Sequence, residues 1–165
     1  MSYFEEIEDI KNLSPDIKEV LLEYSKDMKL DMKKDASDFI IDKAILHSKY
    51  LTPLTSVRNR ILKLENDLIK LLKLKERYYG KGVSLSKEQL KKLDWELDPF
   101  KGLEPPKTEI KLQKILDNDI HVIDLKTKIA TLKIDESVLL QIIKFIEYNF
   151  KVILDKFFEV KYNKI

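Results

Sequence analysis

All three glycines of this 165-residue chain, and three of its five prolines, fall between residues 80 and 107. Glycine and proline interrupt regular structure more strongly than any other residues, so their distribution divides the chain sharply. From Thr108 to the end there is neither. An uninterrupted stretch with repeating apolar residues reads as long helix. The expected class is all-α: a short N-terminal helix and a long antiparallel helical hairpin closed by a loop. As one helical domain over 1–165, the chain divides into four parts. An acidic arm and short helix fill 1–30, helices kinked at Pro53 fill 31–79, the loop fills 80–107, and one or more helices fill 108–160.

Local signals support that division. "SPDIKEVLLEYSK" has Ser14 as an N-cap and Pro15 at the first helical position, with Ile17, Val20, Leu21 and Tyr24 on one face. Asp31 or Asp35 caps the next helix. Pro53 removes a backbone donor at a cost of about 3 kcal/mol, so a kink or break is expected near Leu51–Thr52. Val57, Ile61, Leu64, Leu68 and Leu71 then repeat at coiled-coil spacing. In the loop, Ser86-Lys87-Glu88-Gln89 can start a single-turn helix, and Trp95 and Phe100 tack the loop onto a neighbour. "HVIDLKTKIATLKI" alternates like a strand over Ile123–Thr131, yet Val122, Leu125, Ile129 and Leu132 fit a helix. A lone strand has no partner, so helix is the reading adopted. The last helix carries Leu139, Ile143, Ile146, Phe150, Ile153 and Phe157 on one stripe.

Leu62, Ile69 and Leu72 lie on a second flank that a two-helix hairpin does not bury. Surplus apolar surface predicts a ring-like homo-oligomer, with Leu139, Ile143, Ile146 and Phe150 at its interface.

The net charge of +2 conceals a segregation. Residues 1–42 carry 12 acids and 6 bases, whereas residues 43–81 carry 10 bases and 3 acids. A polyanion would bind the second stretch. The chain has no cysteine, which excludes disulfides and thiolate chemistry. His47 and His121 lack metal-ligand spacing, and Asp117, Asp119 and Asp124 read as helix-surface acids balanced by Lys114, Lys126 and Lys128. No phosphate-binding glycine loop or nucleophile elbow occurs. The chain is therefore expected to be non-enzymatic, with no metal and no cofactor. The acidic opening "MSYFEEIEDI" lacks the pattern of a signal peptide, and no apolar run is long enough to span a membrane.

The basic stretch ends in "LLKLKERYYGKG". At ~100° per residue, Lys63, Lys70, Lys73 and Arg77 share an arc of roughly 80° away from the apolar seam. Lys75 points instead towards the apolar side. Together with Tyr78, Tyr79 and Lys81, these residues form a candidate single-strand site, where cations neutralise phosphates and rings stack on unpaired bases. The alternative is that the tyrosines pack the loop against the hairpin and the lysines are simply solvated. On that alternative the chain is a coiled-coil scaffold or assembly protein without a nucleic-acid role.

"YSKDMKLD", "ILHSKYL", "KERYYGKG" and "LDNDIHVIDLKTKI", running in that order into an apolar final helix, resemble the UvsY family of recombination mediators from T-even-type phages. The resemblance covers roughly Ile17 to Tyr162. It implies a small oligomer of six or seven subunits, acting in the host cytoplasm, that binds single-stranded DNA and the single-strand-binding protein. It also implies a role in helping a RecA-like recombinase load onto covered DNA. The family's DNA-contacting bases match Lys73 and Lys75, with lysine where arginine is usual at the second position. Three departures stand out: an acidic stretch of about 15 residues ahead of the family's usual start, Pro53 in a helical stretch, and an end at "FFEVKYNKI" where relatives continue.

Overall fold

The computed structural model describes residues 15–28, 35–80 and 84–162, without the side chains of 160–162. The acidic arm before Pro15, the Ser14 and Asp31 caps and Lys81 lie outside the described residues. Among those described, the chain is all-helical. The five helices are α1 (Pro15–Asp27), α2 (Ala36–Tyr78), α3 (Lys87–Leu93), α4 (Glu109–Asp117) and α5 (Ile120–Tyr162). Two compact units divide it: Met1–Ile61 with Ala130–Ile165, and Leu62–Ile129.

In the first unit, α2 and α5 run antiparallel. Descending α2 from Arg58 to His47 to Phe39 meets Glu136, Glu147 and Phe150 in rising order on α5. Asp35 caps α2, its Oδ1 accepting from the Ser37 and Asp38 backbone N–H groups. This settles which aspartate begins that helix. The interruption foreseen at Leu51–Thr52 does not end α2, which continues through Pro53. Pro53 has no N–H for the carbonyl one turn back, but Leu54 and Val57 beside it are buried, and packing outweighs the missing bond. The Thr52 and Thr55 hydroxyls also donate to the Ser48 and Leu51 carbonyls around it.

Leu139, Ile143, Ile146 and Phe150 were expected to meet another subunit. They are instead the interior of this unit: Leu139, Ile146 and Phe150 are 0% exposed and Ile143 8%. The reason is competition. Tyr50, Leu54, Val57 and Ile61 repeat at helical spacing on α2, and the two best apolar stripes bury each other within the chain. The apolar side chains left outside in this unit include Ile40, Ile41 and Ile45, each more than half exposed.

Helix α1 docks through a ring contact between Tyr24 and Tyr50, edge-on at 5.7 Å. The buried Tyr50 hydroxyl donates to Asp27 Oδ2 at 2.7 Å, and Lys49 Nζ reaches the same oxygen at 2.7 Å. Burial alone would raise the Asp27 carboxyl, but these two hydrogen bonds and the Lys49 charge hold it below its ordinary value. A carboxyl so depressed stabilises the fold above about pH 4, the unfolded value, and that stability is lost as pH falls through the folded value. Tyr50→Phe is expected to cost about 1.5–3 kcal/mol at pH 7 and less at pH 3. Urea midpoints at the two pH values check this.

In the second unit, Leu85, Leu90, Leu112, Leu116, Val122 and Ile129 form the buried core. The expected helix start at Ser86 is α3, whose Ser86 and Gln89 satisfy each other's backbone N–H groups in a capping box. Thr108 caps α4. The ambiguous stretch after His121 is helical throughout. Gly80, at φ +97°, ends α2 in the left-handed conformation that glycine adopts without strain.

Candidate nucleic-acid interface

The last turns of α2 carry cations in two environments. Lys63, Lys70 and Lys73 are exposed, and Lys70 makes a long contact of 3.8 Å to Asp67. They share one arc of the helix and span roughly 15 Å of its axis at 1.5 Å per residue. Arg77, on the same arc, is half-buried.

Lys75 faces the other way. It is 3% exposed, and its Nζ lies 2.8 Å from Asp119 Oδ2. The Trp95 ring covers the ammonium, with its centroid 3.9 Å from Nζ. Cation–π attraction and a charged hydrogen bond therefore act on one desolvated group. Asp119 is equally engaged. Its Oδ2 also accepts from the Tyr79 hydroxyl at 2.7 Å, and its Oδ1 accepts from the His121 and Val122 backbone N–H groups at the start of α5. Burial pushes the Asp119 carboxyl up, but hydrogen bonds from Lys75 and Tyr79 and the charge of Lys75 bring it below its ordinary value. Burial, then the Asp119 hydrogen bond, pushes the Tyr79 phenol well up.

The paired tyrosines are half-buried and already packed against other rings, tilted rather than parallel. Tyr78 lies 5.0 Å from Trp95, Tyr79 lies 5.8 Å from Phe100, and Trp95 lies 6.3 Å from His121. Of the two arrangements open for them in the sequence, the structure has the one in which they pack the loop. Trp95 and Phe100 do tack that loop down, and the neighbour is the tyrosine pair. The candidate set therefore divides: Lys63, Lys70 and Lys73 are presented outward, while Lys75, Tyr78 and Tyr79 are committed inward.

Asp119 corrects another expectation. Asp117 and Asp124 do pair with Lys126 and Lys128, at 3.1 and 2.7 Å. Asp119 instead balances Lys75, 44 positions earlier. A lysine on the apolar side of a helix needs a buried counter-charge, and an aspartate directly before the apolar run "IHVI" is a natural N-cap. Those two signals together could have found the pair.

Among the described residues, then, the chain is helical and presents a row of three exposed lysines, a surface that can neutralise a polyanion. The chain belongs to the UvsY family: the family described as "Recombination, repair and ssDNA binding protein UvsY" matches residues 23–164. No curated protein and no solved structure matches it. None of the described helices is long and apolar enough to cross a membrane.

Proposed function

We propose that this protein is a non-enzymatic recombination mediator. It binds single-stranded DNA and helps load a RecA-like recombinase onto DNA covered by single-strand-binding protein, in the cytoplasm of a phage-infected host. The observation that carries this reading is the family match, which spans most of the chain. The outward row of Lys63, Lys70 and Lys73 supplies the chemistry, since each lysine that meets a phosphate releases condensed counterions and makes affinity salt-dependent.

A few phosphate contacts per subunit bind weakly alone. Homo-oligomerisation puts several such sites on one strand and raises avidity through effective concentration. Exposed Leu62 and Ile69 in the second unit, and Ile40, Ile41 and Ile45 in the first, are among the apolar side chains available for assembly. A strand held along several subunits is kept bare for the recombinase.

Oligonucleotide titrations at several salt concentrations, with light scattering on the same samples, test the proposal. Expected are an oligomer, tight binding at low salt, and affinity that falls linearly with salt on logarithmic axes. Oligomers indifferent to the strand even in dilute buffer would overturn it and leave the scaffold reading.

A further inference from the structure

Lys73 and Lys75 are two residues apart, yet at ~100° per residue they point to nearly opposite sides of α2. Lys73 is exposed, whereas Lys75 sits between the Asp119 carboxylate and the Trp95 ring. We infer that Lys75 does not touch the strand and is a positioning residue: its pair with Asp119 fixes the end of α2 on which Lys73 is displayed. The inference rests on the reading that Lys63, Lys70 and Lys73 meet phosphate.

Three observations carry it. Reaching a phosphate would draw Lys75 out of a 2.8 Å ion pair and off an indole face, leaving a buried carboxylate without its cation. The same carboxylate holds Tyr79 through Oδ2 and the first turn of α5 through Oδ1. Tyr78 and Tyr79 are in turn packed against Trp95 and Phe100. Withdrawing Lys75 therefore loosens the last turn of α2, the loop and the start of α5 together. Withdrawing Lys73 loosens none of them.

The test has one arm on the unaltered protein and one on variants. Lysine acetylation with mass-spectrometric readout, with and without oligothymidylate, should label Lys73 quickly in the free protein and slowly when bound. Lys75 should label slowly in both. In titrations over salt, Lys73→Ala should lower the log–log slope by roughly 0.7. Lys75→Met should weaken binding several-fold at the wild-type slope. Adding Asp119→Asn to Lys75→Met should recover most of that affinity, because no charge is then left buried without a partner.

A phosphate contact cannot be rescued that way, so the double variant separates the two roles. The inference is overturned if Lys75 labels as fast as Lys73 and oligothymidylate shields it. It is equally overturned if the double variant keeps a slope lowered by roughly 0.7. An unchanged slope in Lys73→Ala would overturn the reading of the lysine row itself, and with it the positioning claim. Shielding or a lowered slope at Lys75 would leave that row standing.

Discussion

Alanine at Lys63, Lys70 and Lys73 together lowers the slope of log affinity against log salt by roughly 2, at about 0.7 for each single-strand phosphate no longer neutralised. This is the largest binding effect expected of the protein, and there is reason to expect it without collateral unfolding. All three side chains are exposed and none is in the core. Alanine is the best helix former, so α2 keeps its conformation. The comparison that isolates the effect is Lys87→Ala/Lys91→Ala/Lys92→Ala on α3. It removes the same charge from other exposed positions of the same unit. Its slope should stay near wild type. Equal reductions from both triples would mean that net charge alone, rather than this row, drives binding.

Asp119→Ala carries the largest expected loss of stability. It leaves Lys75 as a buried cation without its carboxylate, and removing one partner of a buried pair typically costs about 3–5 kcal/mol. It also uncaps α5, where an aspartate cap is worth about 1 kcal/mol. The two effects share one residue and do not simply add. Asp119→Asn should cost less, since an amide oxygen can still cap the helix or accept from Tyr79, and Lys75→Met/Asp119→Asn less again. Urea midpoints of the three variants should rise in that order. The pH dependence has a definite sign. The folded-state value of Asp119 is depressed, so its contribution is full above about pH 4 and disappears as pH falls through the folded value. Wild type and the double variant should therefore converge in acid. A gap that stays constant down to about pH 2, well below the ordinary carboxylate value, would show that the ion pair is not the source of the stability.

The helices were legible in the sequence because their signals are local. Glycine and proline marked the loop, Ser86 and Gln89 announced α3, and the period of Leu139, Ile146 and Phe150 announced α5. What escaped was the choice of partner for each face. The apolar stripe of α5 looked equally fit for a sister subunit or for the chain's own α2, and nothing in spacing distinguishes the two. Of the kink or break expected at Pro53, the break does not occur for a related reason, since a local penalty was weighed without the packing of Leu54 and Val57 that offsets it. At the site, angular arithmetic separated Lys75 from Lys63, Lys70 and Lys73, but its counter-ion lay 44 residues away, marked only by its place as an N-cap before an apolar run. Tyr78 and Tyr79 showed the same limit. Two aromatics at a helix end signal stacking without saying whether the second face is a nucleobase or, as here, Trp95 and Phe100.

The division of the chain bears on the order in which it can be made. The unit Leu62–Ile129 is one uninterrupted stretch, whereas the other is assembled from the segments on either side of it. The inner stretch leaves the ribosome before most of α5 does. Lys75 and Asp119 can therefore meet early. The outer unit must wait for Ile142, Ile146 and Phe150 to emerge, and until then the apolar stripe from Phe39 to Ile61 lacks its α5 face. The interval of greatest risk from aggregation falls before α5 emerges, on the half of α2 that was made first.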